Sequence, residues 1–319
     1  MSFTVRNANV NDAAIIYEMI TLYQEEVNIR NSKFTNSLES FINDCFGNDS
    51  IVHFFIAEFQ ENILGYCGYT HSYNITSGPS INILEVFVKK EYRNIGVSVF
   101  LFSKVIDVAF ANNSFLIKWA ISLKDEKLVA VEEKAGVFIN KDILILNISN
   151  ENLKKHLTIF NKKQAFEVRL VKSYELPDVF ECVKNLAIET KTDLKQDVYK
   201  LMSAAFSTKP KINVMVVLID NEVFGFMSFY EAYCTCSGKS LIVDQVYVDK
   251  KHRAKGIGTS LLNGLFKHAY DNDYSKVESS ISKFEVEKIE ALKEVGVFPY
   301  ENIRVAWYVK EDYKKLYND

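Results

Sequence analysis

Residues Leu241–Thr259 read LIVDQVYVDKKHRAKGIGT and contain the strongest structural signal in the chain. The first part of this stretch, Leu241–Val248, is mostly apolar and β-branched, which predicts a buried strand. The motif Arg-x-x-Gly-x-Gly begins five residues after that strand, and an apolar-periodic run follows it. The sequence therefore predicts a strand that passes through a glycine turn directly into a helix.

The glycine turn has the chemistry of an anion site. Gly256 and Gly258 allow the backbone to turn tightly and to approach a ligand closely. Unpaired N–H groups at the start of the helix, together with the helix dipole, favour a pyrophosphate. Arg253 and Lys255 add positive charge beside the turn. A Gly-x-Gly after a strand is also common as a plain turn, so the complete motif carries the argument.

The same pattern occurs twice in the chain. Seven pairs of segments are separated by 160 positions without a gap: 62–66 and 222–226, Tyr73 and Tyr233, 77–78 and 237–238, 86–88 and 246–248, 92–93 and 252–253, 121–122 and 281–282, 135–138 and 295–298. We interpret this as a duplication. It predicts a first domain over 1–149, a connector or short helix over 150–164, and a second domain over 165–319.

Each unit has the predicted element order β-α-α-β-β-β-α-β-α-β. Alternation of long strands with helices of this kind favours an α+β fold. We expect a mixed, mostly antiparallel sheet in each domain, with helices on both faces.

The strand, the Arg-x-x-Gly-x-Gly turn and the helix resemble those of the GNAT superfamily of N-acetyltransferases, and the resemblance covers nearly all of both halves. It implies acetyl-CoA as the acyl donor. It further implies that strand backbone contacts the pantetheine and that the turn holds the pyrophosphate. The residues implied are Val246, Tyr247 and Val248 for the strand and Arg253, Ala254, Lys255, Gly256, Ile257, Gly258 and Thr259 for the turn.

Several short segments of the first half are similar to the diamine acetyltransferase branch, among them Phe3–Arg6, Asp44–Gly47 and His53–Glu58. In that branch a strand glutamate assists deprotonation of the amine, and Asp244 falls at its position. An amine near neutral pH is mostly protonated, so a carboxylate or an ordered water must accept its proton. A hydrogen-bonded structural acid is the alternative role for Asp244.

The resemblance also predicts a tyrosine that protonates the departing CoA thiolate, four residues before a late glycine. Leu292 and Glu132 occupy that position in the two halves, and neither can act as this tyrosine. Tyr300 could replace it if the chain folds back after Gly296. An ordinary core or surface tyrosine is the alternative.

The first half is less well equipped. Its turn keeps Arg93 and Gly96 but has Ser98 at the second glycine position. Leu84 stands where the second half has Asp244. Glu85 follows, but successive strand side chains face opposite ways, so we expect a solvated or structural acid there. We interpret the first unit as a degenerate domain kept for packing or substrate recognition.

Composition sets further expectations. A net charge of −3 gives no field for nucleic acid. No apolar run approaches the ~18–20 residues that cross a bilayer, and the N-terminus lacks a signal-peptide pattern.

The five cysteines are scattered, and no second pair complements Cys234 and Cys236, so we expect no metal. A cytoplasmic monomer, packed as an internal pseudo-dimer, is the expectation.

Two functions follow from these patterns. The first is transfer of an acetyl group from acetyl-CoA to a primary amine of a small molecule, polyamine-like or amino acid. The second is a CoA-binding sensor or interaction module with little or no turnover, which the missing tyrosine favours. The sequence leaves the amine acceptor open.

Overall fold

The computed structural model describes residues 3–26, 34–159 and 166–310. The first half contains, in order, β1 (Thr4–Asn7), α1 (Ala13–Glu26), α2 (Leu38–Phe46), β2 (Val52–Phe59), β3 (Asn62–Asn74), β4 (Gly78–Val88), α3 (Val97–Ala111), β5 (Leu116–Ser122), α4 (Glu126–Lys134), β6 (Phe138–Ile139) and β7 (Ile143–Ser149). Helix α5 (Asn150–Ile159) follows.

The second half repeats this order. It contains β8 (Glu167–Leu170), α6 (Leu176–Thr190), α7 (Val198–Ala205), β9 (Asn213–Ile219), β10 (Glu222–Cys234), β11 (Gly238–Val248), α8 (Ile257–Asp271), β12 (Lys276–Ser282), α9 (Val286–Glu294), β13 (Phe298–Pro299) and β14 (Ile303–Val309). None of the helices in these described ranges is long and apolar enough to cross a membrane.

The strands form two sheets of seven, in the orders β1-β2-β3-β4-β5-β14-β6 and β8-β9-β10-β11-β12-β7-β13. Within each sheet one pair is parallel, β4 with β5 and β11 with β12, and the other pairs are antiparallel. Helices cover both faces, because separate apolar clusters form on either side of each sheet. The predicted α+β class and the two mixed sheets are confirmed.

The helix after each glycine turn shows why the two halves fold alike. In α8 the buried positions include Ile257, Leu261, Leu265 and Ala269, one every four residues. Helix α3 buries residues at the same spacing, 160 positions earlier. A stripe with this period faces one side of a helix, so each helix packs flat on its sheet.

The two halves exchange their last strands. β14 pairs with β5 of the first half, and β7 pairs with β12 of the second. The exchanged strands contribute to the host cores: Ala306 and Tyr308 to the first, Leu146 and Ile148 to the second. The boundary predicted at residue 149 separates the two sequence repeats. It does not separate the two sheets, because each sheet includes the last strand of the other half. Helix α5 packs on α8, and residues 160–164 of the predicted connector lie outside the described residues.

We predict that an engineered disulfide can report this exchange. Ala120 of β5 stands opposite Val305 of β14, so an Ala120→Cys/Val305→Cys protein should cross-link on oxidation. The matched control is Ser280→Cys/Val305→Cys, since Ser280 pairs with Ile145 of the exchanged β7. Non-reducing electrophoresis distinguishes the two. Cross-linking of the control pair and not of the first would mean that each half keeps its own last strand.

Candidate active site

A gap between β11 and β12 opens the sheet of the second half. The two strands are paired only from Ser240–Lys276 to Ile242–Glu278, and beyond that point they separate. The edge of β11 from Val243 to Val248 therefore faces the gap with backbone groups that β12 does not use. An extended ligand can pair with such an edge. Val246 and Val248, predicted to contact pantetheine through their backbone, lie on this edge, and the ring of Tyr247 is buried beneath it.

The glycine turn lies at the end of the same strand. Ala254 (φ +60°) and Gly256 (φ +83°) are left-handed, and α8 begins at Ile257 with no side chain capping it. A Cβ added at Gly258 would meet no atom within 4 Å. The N–H groups of the first helical turn therefore have no side-chain cap, and the exposed Lys255 precedes them in the turn. Such a backbone concavity suits a phosphate.

Arg253, predicted to hold the pyrophosphate, is engaged by protein groups in this structure. Its Nε donates to the Val248 carbonyl at 2.9 Å, and its Nη2 donates to Glu189 of α6 at 2.7 Å. Arg93 is held in the same way, by Val88 and by Glu26 of α1. The guanidinium fastens the end of the strand to a helix, so contact with a phosphate would require this ion pair to open.

The two turns share a backbone and differ in chemistry. Gly96 has φ +88° and α3 begins at the next residue, as in the second half. The surface around it is apolar, however, because Ile95, Val99 and Phe100 are exposed. The second half has Lys255, Thr259 and Ser260 at these positions. The first turn therefore lacks the cation and carries apolar side chains where a pyrophosphate would lie.

Asp244 occupies a β-bulge in β11. The register shifts between Ser228 and Phe229, which leaves Asp244 without a cross-strand partner. Its carboxylate accepts hydrogen bonds from Asn74 Nδ2 at 2.8 Å, from the Ile75 N–H at 2.8 Å and from Ser228 Oγ at 3.1 Å. Burial raises the pKa of Asp244, while Lys118 and these three donors act to lower it. Two of the donors belong to the first half of the chain.

Lys118 of β5 extends this cluster across the two halves. Its Nζ lies 4.7 Å from the ring centroid of Tyr230. Burial acts to lower the pKa of Lys118, but Tyr230 and Asp244 outweigh it and the pKa is raised. The ammonium therefore stays charged and stabilises the ionised form of Asp244. The sequence already held a signal for this residue, an isolated lysine within the apolar run Leu116–Ile121.

We predict that Lys118→Met raises the pKa of Asp244 further, because the charge that opposes burial is removed. A base works only when ionised, so the rise of activity with pH should move to higher pH. Activity at neutral pH should fall and should recover in alkaline buffer. A pH profile of thiol release from acetyl-CoA measures this. An unmoved profile with reduced activity at every pH would show that Lys118 acts only on the fold.

Tyr300 lies where the chain folds back, as its candidate role requires. Its backbone N–H donates to the Ile145 carbonyl at 2.9 Å, and its hydroxyl donates to Glu278 at 3.2 Å. Glu278 is the last paired residue of β12 before the gap and also accepts from Lys276 Nζ at 2.6 Å. All three are buried. Sequence reasoning missed Lys276 and Glu278, which form a buried ion pair that the Tyr300 hydroxyl contacts through Glu278.

Leu292 and Glu132 stand at the two positions where the resemblance predicts a tyrosine. Leu292 packs against the core of the second half. Glu132 is partly buried, which raises its pKa to about 7. In the first half the bulge of β4 falls at Leu84, between the pairs formed by Gly68 and Tyr69.

Glu85 is a structural acid. It is buried and accepts from the Tyr66 hydroxyl at 2.5 Å and the Thr235 hydroxyl at 3.0 Å. Of the two roles expected for it, the structure selects the structural one over the solvated one. Across the described ranges, no group of three or more His, Cys, Asp or Glu side chains could hold a metal.

Comparison with known proteins gives a family and a fold. The model of the acetyltransferase (GNAT) family matches residues 16–136 and 180–290. A tandem GNAT protein from the clavulanic acid biosynthesis pathway shares 12% identity and a TM-score of 0.56, covering 97% of this chain and 98% of that one. A GCN5-related N-acetyltransferase from Sphaerobacter thermophilus shares 14% identity and a TM-score of 0.54, over 96% and 95%.

A third structure is similar over only part of its length. It is the GCN5-related glucosamine N-acetyltransferase region of a fungal multi-domain β-N-acetylglucosaminidase, at 11% identity and a TM-score of 0.56. The alignment covers 96% of this chain and 38% of that protein. No curated protein matches the sequence. At these identities the structures show the fold alone, and the similarity of the first half to the diamine branch stays a prediction.

Proposed function

This chain belongs to the acetyltransferase (GNAT) family, and on that premise we propose that its second half transfers an acetyl group from acetyl-CoA to a primary amine of a small molecule. The observation that carries the proposal is the combination of an open sheet edge and an uncapped glycine turn on one strand, beside a partly buried carboxylate. The first half also has an uncapped glycine turn, but Leu84 replaces Asp244 and Ile95 replaces Lys255.

The pantetheine would lie along Val246–Val248 in the gap, with the pyrophosphate on the residues from Ala254 to Thr259. This arrangement fixes the thioester at the point where β11 and β12 part, next to the bulge that holds Asp244. Holding the two reactants in this geometry removes much of the entropic cost of their encounter.

The chemical steps balance on groups of this chain. Asp244, directly or through a water, accepts the proton of the ammonium, and the amine nitrogen then attacks the thioester carbonyl carbon. As the C–S bond breaks, the nitrogen loses its second surplus proton to water, so that a neutral amide forms and CoA departs as a thiolate. Tyr300, beside Glu278 and Lys276, is our candidate for the proton donor to the thiolate. Because a thiolate is a good leaving group, we expect Tyr300→Phe to slow turnover without abolishing it.

The test is release of free thiol from acetyl-CoA in the presence of an amine panel. The panel spans amino acids, spermidine and glucosamine, the last because it is named for one structurally similar protein. We expect thiol release that depends on the amine and yields an N-acetylated product by mass spectrometry. The alternative, a CoA-binding module, is favoured by Leu292, which has no proton to donate, at the position of the usual tyrosine. Binding of acetyl-CoA without amine-dependent release would support that alternative.

We also propose that the chain is a monomer whose halves form an internal pseudo-dimer. The exchanged strands β7 and β14 support this, because each half completes the sheet of the other within one chain. Light scattering should give a mass near 36.6 kDa. A mass near twice that value would contradict the proposal.

A further inference from the structure

The hairpin tips of the two halves are inserted into each other. The first tip, Asn74–Gly78, joins β3 to β4 and contacts the second half. The second tip, Cys234–Gly238, joins β10 to β11 and contacts the first half. Each tip thereby approaches the bulge of the opposite half, where the reacting amine would be expected to lie.

The second tip is bound tightly by the first half. The Cys236 carbonyl accepts the N–H groups of Thr35 and Asn36 at 2.9 and 3.0 Å. Asn36 Nδ2 donates to the Tyr233 hydroxyl at 2.7 Å, and the Thr235 hydroxyl donates to Glu85. These residues of the tip are buried. The second tip therefore fills the space next to Glu85 on β4.

The first tip is fixed differently and leaves a cavity. Asp244 holds its Asn74 and Ile75, and the Lys195 N–H donates to the Thr76 carbonyl at 2.9 Å. Beside these contacts is a cavity of about 290 Å³. One wall comes from the first half (Asn74, Thr76, Ser77, Phe115, Leu116) and the other from the α6–α7 region and the bulge (Leu186, Thr190, Thr192, Asp193, Lys195, Gln245).

Resting on the function proposed above, we infer that this cavity is the acceptor site, that the first half completes it, and that it takes a compact, amino-acid-like primary amine. Gln245, which follows Asp244 at the bulge of β11, is one of the residues that line the cavity. The first half therefore serves the reaction of the second by supplying a wall of its substrate site. This gives a function to a half whose own glycine turn is apolar.

The charged residues that line the cavity favour an amine that also carries a carboxylate. Among the described residues that line the cavity, Asp193 is the one acid and Lys195 the one base. Lys195 Nζ lies 3.8 Å from the ring centroid of Phe115 and 3.8 Å from Asp193, whose side chain is 82% exposed. An acceptor carboxylate can compete for Lys195 with so exposed an acid, since exposed pairs are weak. Phe115, Leu116 and Leu186 would contact an apolar side chain.

A polyamine fits this lining less well. Its several ammonium groups require several carboxylates or carbonyls, whereas the lining offers a balanced pair of charges. The volume of about 290 Å³ is also just below the ~300–1,000 Å³ typical of small-molecule sites. These two observations favour an α-amino acid with a medium-sized apolar side chain.

The experiment compares L-leucine with isopentylamine, which is the same molecule without its carboxylate. We expect kcat/KM to favour leucine by about 10-fold or more, the size of one charge-assisted hydrogen bond. Lys195→Met should remove the preference and leave the acetyl-CoA Kd unchanged. Equal or better use of isopentylamine or spermidine by the wild-type protein would overturn the inference while leaving the acetyl transfer intact.

A matched pair of variants tests the contribution of the first half. Ser77→Phe fills the cavity from the first tip and should raise the KM for the amine about 10-fold or more by steric exclusion, with the acetyl-CoA Kd unchanged. Ser237→Phe places the same change in the second tip, away from the cavity, and should leave the KM unchanged. Equal KM values for folded Ser77→Phe and wild type would overturn the composite site. If acetyl-CoA binds and no amine releases thiol, the proposed function itself fails.

Discussion

Replacing Gly258 by aspartate should weaken acetyl-CoA binding by about 100-fold or more, since like charges about 4 Å apart repel by up to about 4 kcal/mol near a protein surface. The space that the new side chain enters is empty of protein atoms, because a Cβ there meets nothing within 4 Å. The carboxylate would stand in the first turn of α8, where the pyrophosphate is expected. An acidic residue in a first helical turn is otherwise favourable, so the fold should remain intact.

The matched control is Ser98→Asp, the same change at the corresponding position of the first half. That turn has the same backbone, with exposed Ile95 and Phe100 in place of Lys255 and Ser260. We expect no change in acetyl-CoA affinity there. Titration calorimetry or tryptophan fluorescence on the two folded variants gives the comparison. Loss of binding in Ser98→Asp with retention in Gly258→Asp would place the cofactor in the first half.

Replacing Asp244 by asparagine should lower thiol release by about 10²–10⁴-fold, the usual contribution of a positioned base. Asparagine keeps the size of the side chain but cannot accept the proton of the ammonium. It also presents an N–H₂ to either Asn74 or the Ile75 N–H, so we expect a loss of about 1–3 kcal/mol of unfolding free energy from an unpaired buried donor. Acetyl-CoA affinity should be unchanged, because the turn is not touched.

Asn74→Asp helps to distinguish two roles of Asp244, that of a base and that of a structural anchor for the hairpin tip. Asn74→Asp keeps the oxygen that accepts from Thr76 and Ser77 but places a negative charge beside Asp244. A like charge raises the pKa of Asp244, so the rise of activity with pH should shift upward, as for Lys118→Met. If Asp244→Asn retained near-normal turnover in a folded protein, Asp244 would be an anchor of the hairpin tip and another group would take the proton.

Local signals predicted the elements that form the candidate cofactor site. The apolar strand, the glycines and the four-residue spacing of α8 lie within one short stretch, and the structure has the strand, the left-handed Gly256 and the helix as expected. The repeat likewise predicted two sheets of one kind. These features depend on neighbours in sequence, which is why pattern and spacing are enough to find them.

The exchange of β7 and β14 could not be predicted in the same way. The two strands occupy corresponding positions of the repeat and are both largely apolar. Each could therefore pair with β5 or with β12. The choice depends on how the two halves pack, which no local pattern encodes. The contact between Asp244 and the first tip joins residues about 170 positions apart, as the Asn74–Asp244 hydrogen bond shows.

The sequence around Arg253 does not show which side chain pairs with it. Its place beside the glycine turn suggested a phosphate ligand, since arginine commonly binds phosphate. The carboxylate that holds it, Glu189, is 64 residues earlier in the chain. The repeat of this ion pair at Arg93 and Glu26 indicates a structural use in both halves.

If the second half alone binds acetyl-CoA, as we propose, each chain has a single site, and the stoichiometry of binding measures this. Titration calorimetry of the full chain with acetyl-CoA should give one molecule bound per chain, because one of the two turns combines an open backbone with a nearby cation. Two molecules bound per chain would show that acetyl-CoA binding is not confined to the second half, and none would show that the second half does not bind it.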